Sequence, residues 1–304
     1  MTWKRVATAA ILIPVIVTIV LFTPTSVVAI ATALITVLAL REYFGLGDAI
    51  GHRAYRLWTV FCSLLLILVA WRVAIRFVSV GLTVTSVTPV ASTSPSLLPD
   101  NVVQMHHISA LYSPSSILFL FVLGITALTL WTRRPIVEAL PAAGISSSAV
   151  LLVAFPLSYA VKLHGVAEQG PRLLLFALVV TWAADTFAYF AGRSFGKHSL
   201  APHISPKKTW EGSVASMIGS LLVAYVFSYW IKIQLPHLFA MAALGNIAGQ
   251  MGDLLESAYK RSAGVKDSGG LLPGHGGVLD RIDALILCIP VIWYYLVLVN
   301  PPLR

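Results

Sequence analysis

Apolar runs long enough to cross a lipid bilayer follow one another almost without pause. The first reads VATAAILIPVIVTIVLF, residues 6–22, and further runs occupy 25–40, 57–75, 115–131, 144–161, 173–191, 213–231, 237–252 and 284–299. A hydrocarbon core of ~30 Å is spanned by a helix of about 20 residues, which satisfies its own backbone hydrogen bonds where no water is present. The expected fold is therefore an all-α, polytopic integral membrane protein of about nine transmembrane helices. Only 11% of the 304 residues are charged and 58% are hydrophobic, whereas a soluble domain carries about 25% charged residues. The opening run is longer than a secretory hydrophobic region, and it is read as an uncleaved first span.

The net charge of +9 would suit a nucleic-acid partner, but the position of the cations argues against one. They cluster at the ends of apolar runs, with no basic stripe interleaved with aromatics and no zinc-finger spacing, so no nucleic acid is expected. With the N-terminus in the cytoplasm and strict alternation of spans, fifteen of the 21 Lys and Arg face inside. The six on the other side are Arg72, Arg76, Lys162, Arg172, Lys232 and Arg304. This asymmetry places both polar loops of the second half on the cytoplasmic side; the membrane expected is the cell's inner, or plasma, membrane. The Ser-, Thr- and Pro-rich stretch 86–116 is then an external loop. Cys62 and Cys288 each lie within an apolar run, which suits neither a disulfide framework nor a cysteine metal site.

Carboxylates are concentrated toward the C-terminus. Asp185, Glu211, Asp253, Glu256, Asp267, Asp280 and Asp283 all fall in the last 120 residues, against five acidic residues in the preceding 184. The chain divides on this basis into a transmembrane scaffold, 1–140, and a catalytic transmembrane region, 141–304.

Within LGNIAGQMGDLLESAYKR, 244–261, helical spacing puts Asn246, Gln250 and Asp253 on one face. Gly245, Ala248, Gly249 and Gly252 would permit close helix contact, with Asn246 and Gln250 as interhelical glue. Asp253 is harder to explain that way, because a carboxylate at membrane depth costs ~2.5–3.5 kcal/mol on insertion scales and marks function by default. Asp185 in TWAADTFAYFAGR raises the same question, as a second cation ligand or as the buried partner of a lysine. Asp280 and Asp283 sit three apart where the last span begins. They would complement the helix dipole, or, together with Asp253, hold a Mg²⁺ whose remaining ligands are water and substrate phosphates. The spacing leaves both readings open.

Between these acids lies VKDSGGLLPGHGGVLDR, whose glycines let backbone N–H groups approach an anion. Lys260, Arg261, Lys266 and Arg281 add positive charge. Neither standard nucleotide fingerprint, GxxxxGK[ST] or GxGxxG, is present. A second inside loop, GRSFGKHSLAPHISPKKTWEGS, repeats the theme. Ser205 and Pro206 predict an N-cap and first helical position flanked by Lys207 and Lys208, a ready anion site.

Three blocks together, SAYKRSAGVKDSGGLLPGHGGVLDRID, DTFAYFAGRSFGKHSLAPHISPKKTWEGS and GQMGDLLES, resemble the conserved segments of phosphatidate cytidylyltransferases, the CDP-diacylglycerol synthases. They cover about 100 residues of the C-terminal half, whereas the first half matches only as apolar spans. Tyr259 stands where the family usually carries an aliphatic residue or Phe, and the 86–116 stretch is unusually long.

The resemblance implies a CTP-dependent reaction with phosphatidate that forms CDP-diacylglycerol and pyrophosphate. It also implies Mg²⁺ with K⁺ beside it, a site opening on the lipid bilayer, and a homodimer. It marks Asp253 and Asp280 as principal metal ligands, while Asp185 and Asp283 are further candidates on their position alone. Lys207, Lys208, Lys260, Arg261 and Arg281 fall to the substrate phosphates. Lys266 also stands among the phosphate candidates and, with Asp267 and His275, in the catalytic set, while Ser205 joins the phosphate-binding group. His275 is open between general base and loop-ordering roles. The rival readings are a CTP-dependent transferase acting on another membrane lipid or isoprenoid, and a cation transporter built around Asp185, Asn246, Gln250 and Asp253.

Overall fold

A computed structural model of the chain describes residues 2–83, 113–131, 135–271 and 276–299. It is all-α apart from one short hairpin. The helices are α1 (Thr2–Phe22), α2 (Thr25–Ala49), α3 (Arg56–Thr83), α4 (Pro114–Trp131), α5 (Ala139–Ala149), α6 (Phe155–His164), α7 (Gly170–Phe195), α8 (Trp210–Phe227), α9 (Leu235–Ser262) and α10 (Leu279–Val299). A π-helical stretch, Val150–Ala154, joins α5 to α6, so that Ile136–His164 forms one continuous apolar rod. Among the described residues, eight segments are long and apolar enough to cross a bilayer, and Ala10–Phe22 of α1 adds a shorter one. The chain is a polytopic α-helical membrane protein. Most of the predicted 86–116 loop lies outside the described residues; its last residues open α4.

Two helices run further than their apolar cores. The second run ends at Leu40, yet α2 continues to Ala49, because Tyr43, Phe44 and Leu46 keep a buried face beyond the charged pair Arg41–Glu42. The third run similarly extends to Thr83. The main hydrophobic core draws on α1, α2, α6, α7, α8, α9 and α10, with Leu40, Phe176, Leu238, Met241, Leu279 and Ile292 fully enclosed. A smaller cluster joins α3, α4 and the α5 rod through Cys62, Leu66, Phe121 and Val150. Both cysteines are free and buried. Phe22, Leu57, Leu130 and Leu298 are at least 77% exposed, as side chains facing acyl chains would be.

α9 organises the C-terminal half because its faces differ. One is a glycine seam against α10: Gly245 meets Cys288 and Ile292, Gly249 meets the main chain of Ala284, and Gly252 abuts the carbonyl of Asp283. Without a hydrophobic driving force between helices in lipid, close backbone approach of this kind is what packs them. A Cβ at Gly252 would overlap the Asp283 carbonyl oxygen, a backbone atom that cannot swing aside. Gly252→Ala is therefore expected to destabilise the protein by about 1–3 kcal/mol, read as a lower thermal unfolding midpoint in detergent. An unchanged midpoint would show that the seam has slack.

Candidate active site

The other working face of α9 is polar and turned toward α8. Asn246 Nδ2 donates to Ser216 Oγ at 3.1 Å and Ser220 Oγ at 2.8 Å. Gln250 Nε2 donates to Ser216 Oγ at 3.0 Å and to Asn246 Oδ1 at 2.6 Å. Asn246 and Gln250 thus act as interhelical glue, each bond of this kind contributing on the order of 0.6–2 kcal/mol in a membrane. The ladder climbs toward Asp253, which has no place in it.

Asp253 instead faces a lysine from outside the bundle. The segment 199–209 folds as an antiparallel hairpin, β1 (Ser199–Ala201) and β2 (Ser205–Thr209), with Ser199 opposite Thr209 and Ala201 opposite Ser205. This corrects the expected helix start at Ser205–Pro206. Ser205 begins a strand, and the cap of the next helix is Thr209, whose Oγ1 accepts from Gly212 N at 3.1 Å. The reason is local: an extended stretch can pair with β1, and His198 closes the hairpin by receiving Trp210 N on its carbonyl and meeting Glu211 at 2.7 Å. Strand geometry turns successive side chains to opposite faces. Lys208 is left partly covered while Lys207 is exposed. Lys208 Nζ lies 2.6 Å from Asp253 Oδ2, with the two side chains 26% and 28% exposed.

A cavity of about 240 Å³ opens here between the hairpin and helices α7, α8 and α9. Asp185, Asp253, Lys207, Lys208, Ser216, Asn246 and Gln250 contribute to its wall. Asp185 is solvent-accessible within it and lies in electrostatic range of Asp253, Lys208 and Arg281. Asp283, carried by α10 across the glycine seam, is in range of Asp253, Asp185 and Glu256. Three carboxylates thus crowd one end of the bundle with cations interspersed.

Asp280 is placed differently. It is not among the residues lining that cavity. Its Oδ1 takes Lys260 Nζ at 2.7 Å, and its Oδ2 receives Gly277 N at 2.7 Å and Ser268 N at 3.1 Å. Lys260 is simultaneously paired with Glu256 one turn back on α9, and all three side chains are at most 11% exposed. The other oxygen of Glu256, Oε1, is buried, and no described residue donates a hydrogen bond to it. Arg261 ties hairpin to loop by donating to the carbonyls of Ile204 at 3.4 Å and Val265 at 3.1 Å. Lys266, Asp267 and Arg281 are exposed, and Ser205 is half-buried at the start of β2. His275 lies outside the described residues. The structure therefore brings Asp185, Asp253, Lys207 and Lys208 onto one cavity, and sets Lys260 and Asp280 in a buried cluster of their own.

One member of this region came from the half read as scaffold. Glu42 of α2, only 9% exposed, reaches the glycine-rich loop and accepts from Ser268 Oγ, Val278 N and Leu279 N at 3.1, 3.0 and 2.8 Å. The sequence carried a signal for it: Glu42 is followed by Tyr43, Phe44 and Leu46, apolar residues that continue the helical face past the charge.

The sequence model of the cytidylyltransferase family matches residues 3–299. The phosphatidate cytidylyltransferase of Bacillus subtilis is 36% identical over 157 residues, which is 51% of this chain and 58% of that protein. The protein of the same name from Haemophilus influenzae is 44% identical over 133 residues, 42% of this chain and 46% of its own length. That of Staphylococcus saprophyticus is 46% identical over 132 residues, 43% of this chain and 51% of the relative. The matched region spans about half the length of each.

Proposed function

The chain belongs to the cytidylyltransferase family, and on that premise we propose that it transfers the cytidylyl group of CTP to phosphatidate, forming CDP-diacylglycerol and pyrophosphate. The observation carrying this reading is the cavity in which Lys208 and Asp253 neutralise each other across 2.6 Å beside Asp185 and Lys207. A ligand that brings an anion and a cation together satisfies both partners separately, which is what a metal-bound triphosphate does. At about 240 Å³ the cavity is smaller than the ~300–1,000 Å³ of pockets that enclose a whole drug-sized ligand. It suits the phosphates, with the nucleoside toward the open side.

In this reaction a phosphatidate oxygen forms a bond to the α-phosphorus of CTP as the bond from that phosphorus to the bridging oxygen breaks, and the electron pair leaves with pyrophosphate. The attacking phosphate monoester, with a second pKa of ~6, is largely ionised near neutrality and needs no obligatory protein base. Both reactants are anions, so the protein's work is alignment and neutralisation. Lys208 and Lys207 from β2 supply charge at the cavity, and Arg281 adds to it from α10. The hairpin covers the cavity from one side, and a site open sideways to the bilayer would let the acyl chains stay in lipid.

Mg²⁺ fits the donor set. Among the described residues no three His, Cys, Asp or Glu form a complete metal-binding group, but Mg²⁺ needs only one or two carboxylates when phosphates and water complete its shell. Asp253 would hold it, with Asp185 and Asp283 close by; Asp280 joins only if Lys260 releases it. When bound, the ion neutralises charge that develops on the phosphoryl oxygens. K⁺ beside it, and a homodimeric state, belong to the same proposal. The Lys and Arg distribution supports a cytoplasmic orientation of this face. Transport is the weaker reading, because binding sites in transporters are typically built on discontinuous helices, whereas α7 and α9 run unbroken through Asp185, Asn246, Gln250 and Asp253.

The direct test is purified protein with CTP, phosphatidate and Mg²⁺, scored for pyrophosphate and liponucleotide. Substitution of dolichol or another isoprenoid alcohol for phosphatidate distinguishes the lipid acceptors. Product with the alcohol and none with phosphatidate would overturn the proposed substrate.

A further inference from the structure

We infer that Glu42 is a positioning residue that holds the glycine-rich loop and the start of α10 in register for the reaction, an inference that rests on the nucleotidyl transfer proposed above. The first N–H groups of a helix have no partner within the helix, and a side chain just upstream normally caps them. At α10 the cap comes from a different helix, more than 230 residues away in the chain. Glu42 accepts Val278 N and Leu279 N, and its Oε2 also takes the Ser268 hydroxyl. Asp280 takes Gly277 N, just ahead of the helix, and Ser268 N, from the far side of the loop. The loop is therefore threaded between two carboxylates, one from the N-terminal half and one from the C-terminal half. Gly269 and Gly277 make this possible, since a Cβ at either would run into the Glu42 carboxylate.

A residue that only anchored α2 in the core would lower stability and leave the rate per folded molecule unchanged. Glu42 differs because two of its partners, Val278 and Leu279, lead directly into Asp280, and the third, Ser268, donates its N–H to that same carboxylate, which also binds Lys260. Asp280 lies in the first turn of the helix that carries Asp283 and Arg281. A shift of about 1 Å in such an element misaligns reacting groups that must lie in line.

The full-length protein carrying Glu42→Gln, Ser268→Ala or both is compared with wild type by amide hydrogen exchange and by turnover of CTP with phosphatidate. Gln keeps the shape of the side chain but turns an NH₂ toward one of the two backbone donors. Exchange at 277–279 is expected to accelerate about tenfold while the central amides of α9 are unchanged, and kcat per folded molecule is expected to fall roughly tenfold. The double variant should be no worse than Glu42→Gln, because both changes act on one carboxylate. Wild-type loop exchange, or raised exchange with unchanged kcat per folded molecule, overturns the inference. Should Glu42→Gln fail to fold, Ser268→Ala alone decides: faster loop exchange with lower kcat supports it, and no change in either overturns it. If wild-type protein turns over no CTP, the functional reading fails, while the exchange measurement still tells whether Glu42 holds the loop.

Discussion

Asp253→Asn is expected to reduce turnover of CTP by about 10²–10³-fold or more while the protein remains folded. The carboxylate lies on the cavity and contributes nothing to the Asn246–Gln250 ladder that binds α9 to α8. It pairs with Lys208, on a hairpin outside the helical bundle. Asparagine is nearly isosteric, so packing survives, but Lys208 loses its counter-charge and the cavity loses the carboxylate proposed to hold the cation. Pyrophosphate release gives the rate, and the thermal unfolding midpoint in detergent checks the fold. A variant turning over at near wild-type rate would remove Asp253 from the chemistry and, with it, the proposed role of this cavity. Extra Mg²⁺ should not restore the rate if the amide cannot bind the ion.

Lys260→Met is expected to have the largest effect on stability. Lys260 stands between Glu256 and Asp280 with side-chain exposures of 11%, 7% and 7%. Removing one partner of a buried ion pair costs about 3–5 kcal/mol, because the remaining charge has neither water nor a counter-ion. Here two carboxylates would be left facing each other. Poor recovery from membranes and a much lower unfolding midpoint are the expected readouts. Glu256→Gln placed on top of Lys260→Met should recover part of the loss, since it removes one of the two unpaired charges. If the double variant is no more stable than Lys260→Met, the triad is not the source of the defect.

The membrane fold was legible because it needs little information: runs of apolar residues of the right length have one outcome in lipid. The faces of α9 were legible too, as glycines and amides at helical spacing leave few alternatives. Asp253 stood out for a related reason, namely that an acid in such surroundings is costly enough to require a purpose. What spacing could not convey was partnership. Asp253 and Asp280 are 27 positions apart in sequence, and nothing in that interval says that Lys260 occupies Asp280 while Lys208 reaches Asp253. Those pairings follow from a backbone path through hairpin, seam and loop. The hairpin was misread because Ser-Pro followed by lysines has the local pattern of a helix start, and only the pairing of Ser205 with Ala201 overrides it. Glu42 was missed for the converse reason: a charge where an apolar run ends looks like the membrane surface, whereas α2 continues for seven more residues with a buried face.

The contact of Gly252 with the Asp283 carbonyl has a mechanical corollary. Two rods touching through their main chains cannot be pried apart by a rotamer change, so α9 and α10 move as one body and carry Asp253, Asp280 and Asp283 with them. The same α9 is tied to α8 on its other side by the Asn246–Gln250 ladder, so main-chain contact and polar glue hold it from two directions. Asp253 and Asp283 therefore keep their spacing from one another, and Lys208, on a hairpin outside the bundle, meets them through its ion pair with Asp253.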